Sequence, residues 1–236
     1  MDPLERWRLP DGVVLPDEPG WPAVLRAGAL VLRPIYRCDE RAWMQVRSRN
    51  AGWLGPWEPT CPPRSEPWGQ TVAQMRHAWW AQARAGMALP WVMAWDDGWP
   101  ARPAPPRRTR LIGAVMVSGI TYGAAQMADV GYWIDESFAG RGLTPLAVAL
   151  AGDYCLRVVR LHRLQVEIRP ENTKSLRVAA KLGLRAEGTR LRLVHIDGAW
   201  RDHLAFAVDE QDLDGPLTAR VLGGRPVPCG GIVETG

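Results

Sequence analysis

A glycine turn between a strand-like run and a helix-like run constrains the fold of this chain more than any other feature. Residues 129–134 are apolar and rich in β-branched and aromatic side chains, which is typical of a strand. Residues 146–151 are good helix formers, and we expect Thr144 to be the N-cap of their helix and Pro145 its first helical residue. The turn at residues 139–145 must therefore carry the chain from a strand directly into a helix.

The same turn has the features of an anion site. Gly140, Arg141, Gly142 and Leu143 precede or open the helix, where backbone N–H groups lack partners and the helix dipole is positive. Such a helix start attracts a phosphate or pyrophosphate, and Arg141 adds a positive charge. Two glycines at this spacing also fit a tight turn that holds no ligand. The neighbouring segments must therefore distinguish an anion site from a turn without a ligand.

Length and composition place the chain among ordinary globular proteins. Its 236 residues, 47% hydrophobic and 23% charged, suffice for one large domain or two small ones with a substantial core. No apolar run approaches the roughly 18 residues that span a bilayer. The N-terminus lacks the basic-then-apolar order of a signal peptide. These features predict a cytoplasmic protein that does not enter a membrane.

Cysteine usage and charge narrow the choice of ligands and partners. Cys38, Cys61, Cys155 and Cys229 are far apart, so neither a metal site nor a disulfide framework is expected. The formal net charge of +4 favours polyanionic ligands or partners, such as a nucleotide-bearing cofactor or the surface of a ribonucleoprotein. The basic run at residues 107–110 follows a proline-rich stretch and is expected to be a solvated loop, so we expect no direct binding of nucleic acid.

The pattern of apolar residues along the chain predicts one α+β domain. Strands are expected at residues 29–34, 90–95, 111–118, 129–134, 163–169 and in a hairpin at 195–208, and helices at 39–49, 68–86, 144–158 and 172–182. This order predicts a mixed, mostly antiparallel central sheet flanked by helices. We assign residues 1–20 to an N-terminal extension, 21–210 to the domain and 211–236 to a C-terminal tail, and we expect little packing after Asp214.

Tryptophan is unusually frequent, with 13 residues against two phenylalanines, and most lie in the first half of the chain. The loop at residues 52–63 carries four prolines, which exclude regular structure, together with Trp53, Trp57 and Glu58. Such a loop is typical of a segment that contacts substrate. The tryptophans are explained either by ordinary core packing or by an aromatic-walled cleft for a peptide or other amine substrate.

Several short segments match a known family in the same order along the chain. They lie at residues 32–34, 53–60, 131–134, 161–163, 169–172 with Ser175, 181–183, 187–188 and 195–203. With the turn at residues 139–144, this order resembles the GNAT acetyltransferases, whose Q/R-x-x-G-x-G/A loop binds the pyrophosphate of acetyl-CoA. The chain is most similar to the RimJ/RimL type, the ribosomal-protein alanine N-acetyltransferases. The resemblance implies a sheet that splays between the strands at 129–135 and 163–169.

Four positions depart from the family pattern. Ala139 stands where the loop has Gln or Arg, and Thr144 stands where it has Gly or Ala. Backbone N–H groups make most pyrophosphate contacts in such loops, so we expect cofactor binding to be kept. Ala179 stands where many relatives have a tyrosine, and Val194 where some members have a glutamate.

The resemblance implies acetyl-CoA as co-substrate and no metal. It assigns an oxyanion-binding backbone N–H to the region of Trp133 or Ile134, a contact with the cofactor arm to Asn172, and the proton donor for sulfur to Ser175. Asn172 and Ser175 are also explained as the N-cap and first turn of a helix. The residues that the resemblance assigns to acetyl-CoA are Trp133, Ile134, Gly140, Arg141, Gly142, Leu143, Thr144, Asn172 and Ser175.

The general base stays open. Val194 cannot titrate, and the remaining carboxylates Glu58, Asp129 and Glu167 are each also explained as ordinary surface groups. A strong base is not required for every acceptor, because an α-amine with a pKa near 7.8 is roughly 15% neutral at pH 7, against about 0.04% for lysine. The missing glutamate therefore favours an N-terminal α-amine, with a water relay for the proton.

The leading hypothesis is an N-acetyltransferase that acts on the N-terminus of a protein, with a ribosomal protein as the candidate, and that functions as a monomer or homodimer. Trp53, Trp57 and Glu58 would then contact the acceptor. A second hypothesis keeps the cofactor but takes a small amine, such as an antibiotic or a polyamine. A third is a non-catalytic protein that binds acetyl-CoA as a regulatory ligand.

Overall fold

The computed structural model of the protein describes residues 7–63, 65 and 69–229. Residues 1–6 of the N-terminal extension, residues 230–236 of the tail, and Trp68 at the predicted start of a helix lie outside the described residues.

Nine strands of the described chain form one sheet. They are β1 (Val13–Val14), β2 (Leu25–Ala27), β3 (Leu30–Pro34), β4 (Leu89–Trp95), β5 (Arg110–Thr121), β6 (Met127–Ile134), β7 (Arg163–Ile168), β8 (Arg185–Ile196) and β9 (Ala199–Asp209). Their order across the sheet is β1-β2-β3-β4-β5-β6-β7-β9-β8. All neighbours are antiparallel except β6 and β7, which are parallel, so the predicted mixed and mostly antiparallel sheet is confirmed.

Helices cover both faces of this sheet. They are α1 (Glu40–Arg49), α2 (Ala51–Leu54), α3 (Val72–Arg84), α4 (Leu143–Asp153, continued by a π-helix over Tyr154–Val158), α5 (Thr173–Leu182) and α6 (Leu217–Leu222). Helices α4, α5 and α6 contact one another on one face, while α1 and α3 pack together on the other. None of the helices in the described ranges is long and apolar enough to cross a bilayer.

Helix α4 forms the centre of the larger core. Every residue from Pro145 to Asp153 is buried, and the helix contacts β2, β3, β5 and β6. A helix that is apolar on all sides belongs in the interior of a domain. The run of apolar residues after the glycine turn therefore fixes the element against which the sheet packs.

The second, smaller core lies on the opposite face of the sheet and is aromatic. The Trp43 ring packs edge-on against Trp79 at 5.4 Å and against Trp133 at 5.2 Å between ring centroids. Trp43 lies on α1, Trp79 on α3 and Trp133 on β6, so these three rings join two helices to the strand before the glycine turn. Core packing thus accounts for several of the tryptophans.

Strands β6 and β7 separate after a short paired segment. Their pairs are Met127 with Arg163, Ala128 with Leu164, and Asp129 with Gln165. Beyond Asp129 and Gln165, β6 continues beside β5 only, and β7 beside β9 only. The predicted splay between these strands is confirmed, and it leaves an opening in the middle of the sheet.

Two predictions about local structure are wrong. Helix α4 begins at Leu143 with Gly142 as its N-cap at φ 77°, because the positive-φ turn ends at that glycine and the next residue already takes helical angles. Thr144 is thus inside the first turn. The segment at residues 52–63 is not wholly irregular, since it contains α2 and a 3₁₀ turn over Gly55–Trp57. Pro56 lies in the first turn of that 3₁₀ helix, where no backbone N–H is needed.

The C-terminal segment packs more than the sequence predicts. Helix α6 buries Leu217, Thr218 and Leu222 against the core beside α4. Asp153, at the end of α4, is fully buried and accepts hydrogen bonds from the N–H of Leu217 at 2.7 Å and from the N–H and hydroxyl of Thr218 at 3.1 and 2.7 Å. A carboxylate distant in sequence caps this helix, so a local pattern could not reveal it.

Asp153 gives a testable pH dependence of stability. Burial raises the pKa of this carboxyl from 3.8 to about 6, although hydrogen bonds from Thr218 and Leu217 oppose the change. A raised pKa in the folded state means that the group stabilises the fold below about pH 3.8 and that this contribution is lost as the pH rises through about 6.

We therefore compare the free energy of unfolding of the wild type with that of Asp153→Asn. We expect the wild-type value minus the variant value to fall by up to about 3 kcal/mol from acid to neutral pH. Urea unfolding at a series of pH values measures this difference. Asp17→Asn, at an exposed site, is the control and should show no such trend. A constant difference between wild type and Asp153→Asn would refute the assignment.

Candidate functional site

The glycine turn presents a row of unpaired backbone N–H groups. Gly140 and Gly142 have φ values of 78° and 77°, which L-residues rarely adopt. Within the described part of the chain, the N–H groups of residues 140–144 donate no hydrogen bond. A Cβ atom placed on either glycine meets no heavy atom within 4 Å. The turn therefore encloses open space beside free donors at a helix N-terminus, as a phosphate requires.

The Arg141 side chain is less free than its backbone. Its guanidinium donates to the carbonyl of Ser137 at 2.9 Å and lies 5.1 Å from the centre of the Phe138 ring. The side chain is solvent-exposed, so its positive charge stays near the turn while its direction is set by these two residues. The geometry thus assigns the cradle chiefly to backbone groups.

The opening between β6 and β7 exposes one edge of β6. The carbonyl of Ile134 accepts a hydrogen bond from the indole N–H of Trp53 at 3.1 Å, so it points away from β5. The Trp133 carbonyl points toward β5, where it would lie 2.4 Å from a Cβ atom at Gly113. Because the N–H and C=O of one strand residue share an edge, the N–H of Ile134 faces the opening and that of Trp133 faces β5.

The first turn of α5 lies across this opening from β6. Asn172 is the N-cap, and its side-chain oxygen accepts from the N–H of Ser175 at 3.1 Å. The hydroxyl of Tyr132 donates to the carbonyl of Ser175 at 3.4 Å, so Tyr132 bridges β6 and α5. Burial raises the pKa of Tyr132 to about 12, so its hydroxyl remains a proton donor at neutral pH.

Tyr132 is a residue that the sequence analysis does not single out. Along β6 it is separated by multiples of two residues from the buried Ala128, Val130 and Ile134. The alternation of a strand therefore indicates that these side chains share one face of the sheet. Its contact with Ser175 joins residues 43 positions apart. Only the fold brings them together.

Cationic side chains cover the aromatic groups of the segment at residues 52–63. The Lys174 ammonium lies 3.6 Å from the centre of the Trp53 ring, and the Arg169 guanidinium lies 5.5 Å from that of Trp57. Lys174 is in the first turn of α5, and Arg169 directly follows β7. The predicted aromatic segment therefore lies against the two elements that border the opening.

Glu58, the carboxylate of this loop, is already paired. It forms an ion pair with Arg47, and the Arg47 guanidinium also lies 5.2 Å from the centre of the Trp133 ring. Both side chains of the ion pair are about one third exposed, at 30% and 35%. The structure thus places Glu58 in a surface ion pair beside the aromatic core.

The far end of the loop is anchored to the β8–β9 hairpin. Thr60 donates its N–H to the carbonyl of His195 at 2.8 Å, and its hydroxyl lies 2.9 Å from Nδ1 of that histidine. Pro59 forms a β-bridge with Ile196, and Arg169 donates to the carbonyl of Pro56 at 2.9 Å. These bonds hold the loop in a defined position over the opening.

A polar network lies where β6 and β7 separate. Asp129 accepts from the side-chain amide of Gln165 at 2.6 Å, and Gln165 in turn accepts from Arg190 at 3.3 Å. Arg190 also pairs with Glu167 at 2.9 Å. Burial and the nearby charge of Asp129 raise the pKa of Glu167 above its usual range. Glu167 follows the last β6–β7 pair by two residues, on the face that Gln165 shares, so it stands at the edge of the opening.

Asp135 fixes the segment between β6 and the glycine turn. It forms an ion pair with Arg49 and accepts from Asn50 at 3.0 Å, and the N–H of Glu136 donates to Asn50 at 2.9 Å. Burial alone would raise the pKa of Asp135, but hydrogen bonds from Arg49, Asn50 and Ser137 together lower it. The sequence analysis does not identify this group, because its partners lie about 85 residues away.

No group of three or more potential metal-ligating side chains occurs among the residues for which the structure gives a position. The side chains described above can orient an anion, donate protons and accept them.

Comparison with known proteins identifies the class. Residues 29–185 match the model of the acetyltransferase (GNAT) domain. The chain is 30% identical to Mycobacterium smegmatis RimJ, solved in complex with CoA-disulfide, with a TM-score of 0.76; the match covers 90% of this chain and 99% of that one. It is 28% identical over 191 residues to the [ribosomal protein uS5]-alanine N-acetyltransferase of Escherichia coli K12, covering 80% of this chain and 91% of that protein.

A third relative matches a shorter part. The chain is 39% identical over 103 residues to the probable N-acetyltransferase YjcK of Bacillus subtilis 168, covering 44% of this chain and 57% of that protein. The chain belongs to the GNAT acetyltransferase family and is an acetyl-CoA-dependent acyltransferase. Within that family it is close to the RimJ/RimL ribosomal-protein alanine acetyltransferases in sequence and structure.

The open space at Gly142 allows a direct test of cofactor binding. We expect Gly142→Trp to fill the cradle and to weaken acetyl-CoA binding roughly 100-fold or more, because two or more charge-assisted hydrogen bonds are lost. Isothermal titration calorimetry measures the affinity. Gly142→Ala shares the positive-φ strain but adds little volume, so it should bind only a few-fold more weakly. A folded Gly142→Trp variant with wild-type affinity would exclude this turn as the cofactor cradle.

Proposed function

We propose that the protein transfers the acetyl group of acetyl-CoA to the N-terminal α-amine of a protein, with ribosomal proteins as the acceptor class. The observation that carries this proposal is the opening between β6 and β7, where the free N–H of Ile134 lies beside the indole of Trp53. One side of the opening leads to the glycine cradle, and the aromatic loop lies at its edge. The relatives that act on ribosomal protein uS5 or carry the name RimJ support the acceptor class.

The backbone of the glycine turn holds the pyrophosphate in this proposal. Gly140, Arg141, Gly142, Leu143 and Thr144 supply N–H groups, and the threonine hydroxyl lies one residue into the helix. Asn172 uses its oxygen to cap α5, which leaves its side-chain amide for the cofactor arm. When bound, acetyl-CoA supplies the thioester carbonyl that a neutral amine attacks.

Ile134 stabilises the developing negative charge. Its N–H faces the opening, whereas the N–H of Trp133 faces β5, so the geometry favours Ile134 over its neighbour as the oxyanion donor. A backbone donor held in a sheet is already oriented and needs no reorganisation during the reaction. Trp133 serves instead as part of the wall beneath Arg47.

Ser175 donates the proton that the leaving sulfur takes up. It lies in the first turn of α5, on the far side of the opening from Ile134. Ala179, where many relatives have a tyrosine, has no proton to give. The hydroxyl of Tyr132, bound to the carbonyl of Ser175, lies next to this position and fixes the first turn of α5 against β6.

Glu167 is the carboxylate best placed to accept the proton of the attacking amine. Each of the three candidates has a polar partner: Glu58 pairs with Arg47 at the surface, Asp129 accepts from Gln165, and Glu167 pairs with Arg190. Glu167 stands at the edge of the opening, and its raised pKa brings it nearer to that of an amine. A water molecule would complete the path between the amine and this carboxylate.

The acceptor itself needs little help to lose its proton. An N-terminal α-amine is roughly 15% neutral at pH 7, about 350 times the fraction for a lysine side chain. A protein with valine at position 194, where some relatives have glutamate, is therefore better suited to α-amines than to lysine. With ribosomal proteins as acceptors, we propose that the protein acts in the cytoplasm.

A panel of acceptors tests the proposed function. We expect release of free CoA thiol from acetyl-CoA with peptides that have a free N-terminal Ala, Ser or Met, and none with an N-acetylated peptide that contains an internal lysine. A clear preference for spermidine or an aminoglycoside would favour the small-amine hypothesis. Tight calorimetric binding of acetyl-CoA without thiol release from any amine would favour a non-catalytic, regulatory protein.

Glu167→Gln tests the base. We expect kcat/KM for the best peptide to fall about 100-fold at pH 7. The wild-type rate should fall at acidic pH because both Glu167 and the acceptor amine become protonated. In the variant, the rate should fall only because the acceptor amine becomes protonated. Glu187→Gln, which alters a carboxylate paired with Arg163 outside the opening, is the control. An unchanged rate and pH profile in Glu167→Gln would rule out this role.

A further inference from the structure

Trp53 occupies a defined place next to the reacting edge of β6. Its indole N–H donates to the carbonyl of Ile134 at 3.1 Å, so one edge of the ring is fixed beside the N–H that faces the opening. One face of the same ring is covered by the Lys174 ammonium, whose nitrogen lies 3.6 Å from the ring centre. An ammonium group of this chain thus lies on the ring that is hydrogen-bonded to Ile134, the proposed oxyanion donor.

Apart from its contact with the Trp53 ring, the position of Lys174 is unfavourable for a positive charge. It lies in the first turn of α5, where the helix dipole disfavours a cation. Within the described ranges, no carboxylate pairs with it and no hydrogen bond from its ammonium is present. Among the described residues, the aromatic face of Trp53 is therefore the favourable contact that holds this ammonium in place.

The other cations around the opening are held differently. Arg169, over the Trp57 ring, also pairs with Glu171 at 3.2 Å and donates to the carbonyl of Pro56. Arg47, over Trp133, pairs with Glu58. These guanidiniums have structural partners that a ligand would have to replace, whereas the contact of Lys174 within the described ranges is with the Trp53 ring. Lys174 is consequently the cation that a ligand displaces with least loss.

We propose that the face of Trp53 is the surface that receives the ammonium form of the acceptor, and that Lys174 holds this surface in the free protein. The proposal rests on the function proposed above and specifies its acceptor site. An incoming primary ammonium takes the place of Lys174 on the ring. The side chain of Lys174 swings outward but stays close, and its positive charge favours transfer of the acceptor's proton through water to the Glu167 carboxylate. The displaced lysine thus assists the formation of the neutral nucleophile.

Removal of the internal competitor should strengthen acceptor binding. We expect Lys174→Gln to lower the KM for the acceptor peptide about two- to fivefold, the range of an exposed cation–π contact, with the KM for acetyl-CoA unchanged. Trp53→Leu should raise the KM for the acceptor. Lys181→Gln, at an exposed position on the same helix, is the matched control and should match wild type. An acceptor KM in Lys174→Gln that equals or exceeds that of wild type would overturn the proposal.

A spectroscopic test detects the displacement itself. The chain has two lysines, Lys174 and Lys181, so reductive ¹³C-methylation gives two dimethyl-lysine signals and retains both charges. The Lys174 signal should lie upfield because its methyl groups face the Trp53 ring, and Trp53→Leu should return it to the position of Lys181. A Lys174 signal that does not depend on Trp53 would contradict the proposed contact.

The same sample is then titrated, in the presence of CoA, with a substrate peptide that begins with a free alanine. The Lys174 signal should move to the exposed position, and the N-acetylated form of the peptide should leave it upfield. If thiol release is observed but the bound free peptide leaves Lys174 upfield, the inference fails and the proposed function stands. If no amine on the panel gives thiol release, the proposed function fails and the inference fails with it.

Discussion

The site depends on the point at which β6 and β7 stop pairing. Three parallel pairs end at Asp129 and Gln165, and beyond them each strand is held only by its outer neighbour. Unpaired backbone groups in a sheet are costly when they are buried away from water. Helix α4 packs against β6, and the first turn of α5 is tied to β6 through Tyr132. The open edge of β6 at Ile134 follows from this separation.

Aromatic side chains form hydrogen bonds with backbone groups at the border of the opening. Trp53 donates to the Ile134 carbonyl, and Tyr132 bridges β6 to the carbonyl of Ser175. The segment at residues 52–63, which includes Trp53, is itself tied to the β8–β9 hairpin through Thr60 and His195. The tryptophans therefore serve two purposes: Trp43 and Trp79 build a core, and Trp53 hydrogen-bonds to the open edge of the sheet.

Most of the local structure could be predicted because it depends on neighbours in sequence. Asn172 caps α5, Gly183 ends it in the left-handed conformation, and Asp197 and Gly198 form the tight turn of the last hairpin, each as the residue types require. The helix start at Gly142 was misplaced by about two residues, since Thr144 and Pro145 are good caps wherever a helix begins nearby. The packing of α6 escaped prediction because its cap, Asp153, lies 64 residues away.

The sequence by itself determined the fold class, the family and the anion cradle, because alternation, glycine turns and helix caps act through backbone geometry over a few residues. The tertiary structure decided which backbone N–H faces the opening and which carboxylate stands at its edge. It also placed the Lys174 ammonium on the Trp53 ring. These relations join residues far apart in the chain, and their distances are set only when the two halves of the sheet meet around α4.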